Sequence, residues 1–230
     1  MGQYVLPGDP PIDLTLRRSG RARRISLRVS GLDGKVTLTL PPGVPERDAL
    51  EFAADKQAWL RRQLDKRPDH QVIELGHEIP FEGILHRIAP GTGRRITVQD
   101  GILHIPGAAD TLAPRLQAWL KAQARDRLAA ASDHYAAKLG RPYTRLTLRD
   151  TRSRWGSCSS NGGLMYSWRL IMAPAPVLDY VAAHEVAHLA EMNHSPAFWA
   201  TVERLSPDFQ PHRRWLREHG ASLHRYRFGD

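Results

Sequence analysis

The 230 residues carry 33 Lys and Arg against 24 Asp and Glu, a net charge of +9 with histidine neutral. The single cysteine, Cys158, excludes an intrachain disulfide, and no run approaches the ~20 apolar residues of a membrane helix. The opening MGQYVLPGDPPID lacks a charged-then-apolar export pattern, so a cytoplasmic protein is expected; the basic balance leaves nucleic acid open as an acidic partner.

Residues 1–14, rich in Pro and Gly, read as a loose lead-in. Ile25, Leu27 and Val29, then Val36, Leu38 and Leu40, repeat with period two around the turn-forming Gly31-Leu32-Asp33-Gly34, which predicts a β-hairpin. Leu50, Phe52, Trp59, Leu60 and Leu64 follow helical spacing over 46–66, closed by Arg67-Pro68. Five short strands are expected at Val72–Leu75, Ile79–Phe81, Leu85–Ala89, Ile96–Val98 and Ile102–Ile105, the last two joined by an Asp100-Gly101 hairpin turn. Leu116, Trp119, Leu120, Leu128 and Tyr135 then mark a long helix over 113–139, stopped by Gly140 and Pro142.

Leu146 and Leu148 alternate in a strand at 144–150, and Leu164–Ile171 reads as another after the Gly162-Gly163 turn. A helix is expected from Pro174–Pro176 to about Met192. Ser195-Pro196 has the form of an N-cap followed by Pro at the first helical position, and a last helix spans 209–219. The fold class is α+β: a β-rich half over 15–110 and a helical half over 111–230, dividing at the loop 106–112 unless the two form one compact unit.

The chemistry concentrates in His184-Glu185-Val186-Ala187-His188. Positions four apart on a helix share a face, so two imidazoles can close on one zinc ion while Glu185 is offset to serve a water. The flanking Val181, Ala182, Ala183 and Leu189 are apolar, and polar groups buried there without partners would be costly. His194 is the candidate third ligand: HEVAHLAEMNH has the metzincin spacing, with Glu191 where that pattern has glycine, so the turn is expected at Asn193. Glu191 is expected to orient a histidine, and Glu203 is a more distant candidate ligand.

Upstream, Arg152, Arg154, Trp155, Ser157, Cys158 and Ser159 either pack or border a cleft. In the second case a peptide could pair along the strand edge and an arginine could meet a carboxylate or phosphate. Cys158 as a fourth zinc ligand would close the open position that catalysis needs. Tyr180, Tyr166 and His212 are candidates for the oxyanion donor.

The run Arg154-Trp155-Gly156-Ser157-Cys158-Ser159, the Trp168-Arg169-Leu170 segment, the motif helix from Asp179 and Asn193-His194-Ser195-Pro196-Ala197-Phe198-Trp199 together resemble the YgjP-like metallohydrolase family, related to the SprT and WLM groups of zinc peptidases. The resemblance implies a minimal zincin core, a zinc ion on His184, His188 and His194, and Glu185 as general base. It does not settle the substrate, since members are described as zinc metallopeptidases or as a UTP pyrophosphatase. Three functions remain open: a zinc peptidase acting on peptides or proteins, including one acting on DNA-associated proteins; a metal-dependent nucleotide pyrophosphohydrolase; and a basic binding module with a structural zinc.

Overall fold

A computed structural model describes residues 2–30, 34–65 and 70–229. The chain divides into two compact units, Met1–Asp69 and His70–Asp230. The loop at 106–112 lies inside the second unit. The architecture is α+β, with strands dominating the N-terminal half and helices the C-terminal half.

In the first unit β1 (Gly2–Leu6) runs antiparallel to β2 (Ile12–Arg18). This corrects the expectation of a loose lead-in over 1–14. Ile12, Leu14 and Leu16 alternate with polar residues and are buried, a period-two signal that the prolines between the two strands obscure. β3 (Ser26–Val29) and β4 (Val36–Leu40) pair antiparallel with Val29 opposite Val36, as the hairpin predicts; its turn residues Gly31, Leu32 and Asp33 lie outside the described residues. β2 and β4 pair in parallel, giving the order β1-β2-β4-β3. The helical stretch is broken at Lys56 into α1 (Glu46–Asp55) and α2 (Gln57–Asp65); the expected stop at Arg67-Pro68 lies outside the described residues. Ala49, Ala53 and Leu60 from these helices share a core with Leu14, Leu38 and Leu40. Full burial of each leucine contributes about 1.5–3 kcal/mol.

The second unit begins with β5 (Gln71–Val72) and continues through β6 (Glu78–Phe81), β7 (Ile84–Gly91), β8 (Thr97–Gln99) and β9 (Ile102–Pro106). The last four form a sheet in the order β6-β7-β9-β8. Asp100 and Gly101 both take positive φ, 49° and 74°, as the tight turn between β8 and β9 requires. α3 (Leu112–Leu139) follows and ends at Gly140 in the left-handed conformation. Its buried stripe of Leu116, Leu120, Ala124 and Leu128 is the spine of the core.

β10 (Arg145–Arg149), β11 (Gly156–Cys158) and β12 (Gly163–Ser167) form a three-stranded sheet with β12 in the centre, parallel to β10 and antiparallel to β11. The strand expected over Leu164–Ile171 stops at Ser167. Trp168–Met172 is a buried 3-10 turn against α3, so its mostly apolar run, interrupted by Arg169, reflects burial on all sides rather than a pleat. The turn is held by Arg169, whose guanidinium grips both carboxylate oxygens of Asp150 at 2.7 and 3.1 Å and donates to the carbonyls of Leu223 and Tyr226. Next come α4 (Ala175–Ala187), α5 (Pro196–Leu205), α6 (Phe209–His219) and β13 (Tyr226–Arg227), which pairs in parallel with β5. Among the described residues no helix is long and apolar enough to cross a membrane.

Candidate metal centre

α4 packs against α3 on one side and against β11, α5 and α6 on others, so nearly all of its circumference is buried. A helix covered in this way is mostly apolar, and apart from the exposed Asp179 the polar residues His184, Glu185 and the capping His188 stand out. The helix ends at Ala187, earlier than the sequence suggests, with His188 as its C-cap. Tight bonds from the Leu189, Ala190 and Glu191 amides to the carbonyls of Val186 and Ala187 close it off. The turn expected at Asn193 does not use the left-handed conformation that asparagine tolerates, since Asn193 has no positive φ. The chain instead reverses over several residues, and the Ser195 amide bonds the Asn193 carbonyl at 2.7 Å. Ser195 caps α5 as expected, its Oγ accepting from the Phe198 amide, with Pro196 at the first helical position.

The reversal carries His194 back over α4. One nitrogen from each of His184, His188 and His194 lies within 4.8 Å of the others, and the Nε2 atoms of His184 and His194 are 3.1 Å apart. Nitrogens bound to one tetrahedral zinc at about 2.0–2.1 Å are separated by roughly 3.4 Å, so the rings stand close to the convergence such an ion needs. The Nδ1 atom of His188 pairs with the Glu191 carbonyl at 2.9 Å. With Nδ1 donating, the ring leaves its Nε2 lone pair free for a cation. Glu191 therefore orients a histidine through its backbone rather than its carboxylate. His184 Nδ1 is buried without a partner among the described atoms. Burial, aided by the charges of His188, His194 and Arg213, pushes His184 down to about 3. It is thus a neutral donor at physiological pH, and an all-imidazole set of this kind suits zinc.

An aromatic wall surrounds the trio. The Phe198 ring stacks on His188 at 4.4 Å between centroids and meets His184 and His194 edge-on. Trp199 stacks on His194 and Phe209, and the Arg213 guanidinium lies over its ring at 4.3 Å. Phe198 and Trp199 were recognisable in the sequence only through the family resemblance. Arg213 carried no signal, because nothing in the chain order links α6 to the motif.

Glu185, only 5% exposed, points from α4 towards β11. A Cβ on Gly156 would lie 2.6 Å from its Cγ and Oε1, so the glycine is what admits the carboxylate there. Burial pushes this carboxyl up to about 8, and the Arg154 charge opposes the rise. Trp155 lies against Gly220 and 5.2 Å from the His224 ring, and its carbonyl accepts from the Ser167 amide, which holds the segment that delivers Gly156.

The remaining candidates are dispersed. The Cys158 thiol, pushed up to about 11 by burial and the nearby Glu185, bonds the Ser159 carbonyl and lies outside the histidine group. Glu203 is also outside it. Tyr166 is fully buried and pairs with Ser132 at 3.0 Å, so its hydroxyl belongs to the core. His212 sits near Asp179. Tyr180 meets the His184 ring edge-on, 5.9 Å between centroids.

A model of the YgjP-like metallopeptidase domain matches residues 23–219. Among solved structures the chain is similar to the metallopeptidase zymogen abylysin of Pyrococcus abyssi, with 20% identity, 40% of this chain and 93% of that one covered, and a TM-score of 0.36. No curated protein matches it.

Proposed function

We propose that this chain, which belongs to the YgjP-like metallopeptidase family, is a zinc-dependent peptidase in which His184, His188 and His194 hold the ion and Glu185 is the general base. The observation that carries this reading is the gathering of three imidazole nitrogens within 4.8 Å beside a deeply withdrawn carboxylate.

Zinc held there supplies Lewis acidity and a water nucleophile available near neutral pH. The protein's own groups do the rest. The His188–Glu191 bond fixes one ligand ring, and the Phe198 and Trp199 rings pack against the His188 and His194 rings and limit their rotation. A Glu185 oxygen takes the proton of the attacking water and passes it to the leaving amine nitrogen. A carboxylate made more basic by burial is suited to that step, and Arg154 favours its ionised form. β11 pairs with β12 on one side only, which leaves an edge along which a substrate backbone can add as a further strand. A nucleotide pyrophosphohydrolase would need oxygen ligands for magnesium. Among the described residues, the group of side chains able to share an ion is the imidazole trio.

The test is to incubate the zinc-loaded protein and its Glu185→Gln variant with a mixed peptide library and read cleavage by mass spectrometry. The wild type should cut, while the variant should keep its zinc and lose turnover. Cleavage by the variant at the wild-type rate would remove Glu185 from its role. Intact peptides alongside hydrolysed nucleoside triphosphate would end the peptidase reading.

A further inference from the structure

On the face of the three-stranded sheet turned away from α4, a groove of about 340 Å³ opens between Arg145, Arg149 and Arg154. Its placement follows from strand alternation. Leu146 and Leu148 of β10 are partly buried and pack on the core, so Arg145, Thr147 and Arg149 face outward. Across the sheet, Thr147, Met165 and Ser157 stand in one row. No carboxylate and no aromatic ring lines the groove; hydroxyls, including those of Thr147, Ser157 and Ser159, fill the space between the arginines. Among the described residues none of the three arginines forms an ion pair. All three side chains are exposed and without a carboxylate partner, so their guanidinium donors are available to an anionic ligand.

We propose that this groove is a substrate subsite for acidic peptide segments, recognising carboxylates through Arg145, Arg149 and Arg154; as a specificity device it rests on the peptidase reading above. Four residues of strand separate Arg145 from Arg149 by about 13 Å, the distance between side chains four apart on an extended peptide. Guanidinium groups bind carboxylates through two parallel hydrogen bonds, and the Ser157 hydroxyl, which lines the groove, can serve a peptide group. The groove and the candidate centre lie on opposite faces of β11. Ser157 of the open-edged β11 lines the groove together with Arg154, while its chain neighbour Gly156 meets the Glu185 carboxylate on the other face. A chain leaving the groove thus rounds β11 towards that carboxylate. Single-stranded nucleic acid is the weaker fit, because it binds by stacking bases on aromatic side chains and the groove has none.

The probes are two short fluorescein-labelled peptides, one with glutamate at alternate positions and one with glutamine in its place. Binding is read by anisotropy at low salt to zinc-loaded Glu185→Gln protein, which removes turnover from the measurement. The glutamate peptide should bind about tenfold or more tighter, and added salt should erode the difference. Adding Arg145→Glu and Arg149→Glu should abolish the preference, and Arg145→Gln with Arg149→Gln should weaken it, with circular dichroism confirming the fold of each. Equal binding of the two peptides, or a preference that survives charge reversal, would overturn the proposal. So would a DNA oligonucleotide that displaces the glutamate peptide at lower concentration and depends on the same arginines. Preference for acid with no peptide cleaved by the wild type would leave the groove standing and sink the peptidase reading; cleavage without preference would do the reverse.

Discussion

The Glu185 carboxylate lies in the space that a side chain at Gly156 would occupy: a Cβ there would stand 2.6 Å from Glu185 Cγ and Oε1, closer than Cβ atoms approach other groups. One residue is on α4 and the other on β11, so the helix and the sheet edge are in register at this contact.

Gly156→Ala should therefore displace the carboxylate without touching the histidines. A misplacement of about 1 Å in a reacting group costs about a hundredfold in rate. We expect kcat/KM for peptide cleavage to fall by about that factor while the zinc content, read by mass spectrometry of the intact holoprotein, stays at the wild-type level. Loss of zinc together with activity would show that the glycine serves the trio instead.

His194→Ala removes the imidazole contributed from beyond the helix. A ligand bound only by the folded state stabilises it by about 2.7 kcal/mol at a hundredfold excess over Kd. The wild type should show a clear rise in Tm on adding zinc, reversed by chelator, and the variant should show a much smaller one. Equal shifts would place the ion elsewhere.

Asp150 supplies a pH dependence. Burial alone would raise its carboxyl, but the hydrogen bonds and charge of Arg169 hold it below the usual value of 3.8. A depressed folded-state pKa contributes stability that is complete above 3.8 and is lost as pH falls from there through the folded-state value. The Asp150 side chain is 43% exposed, so screening limits the pair, and Asp150→Asn should cost about 1–2 kcal/mol at pH 7. Urea unfolding should show that penalty at neutral pH and a smaller one below pH 3.8; an undiminished gap in acid would point to packing rather than charge.

Tyr166→Phe separates the core hydroxyl from catalysis. The change leaves the buried Ser132 hydroxyl without its partner, a cost of about 1–2 kcal/mol in thermal or urea denaturation. Peptide kcat/KM should stay within about twofold, because that hydroxyl faces α3. A fall of a hundredfold would return Tyr166 to the candidate oxyanion donors.

The amino-acid sequence was sufficient for whatever depends on near neighbours along the chain. The four-residue step from His184 to His188, the Ser195-Pro196 helix start, the Asp100-Gly101 turn and the stop at Gly140 are all local, because backbone geometry and capping act within one or two turns. Where composition masked periodicity, as in β1 and β2, or where burial on all sides imitated a strand, as at Trp168–Met172, that local signal misled. The approach of Gly156 to Glu185, the withdrawal of Tyr166 into the core, the Asp150–Arg169 clamp and the unpaired arginines on the outer sheet face join segments from 9 to 34 residues apart. Such pairings follow from which faces are buried against one another when the chain closes on its core, and only the tertiary structure decides them.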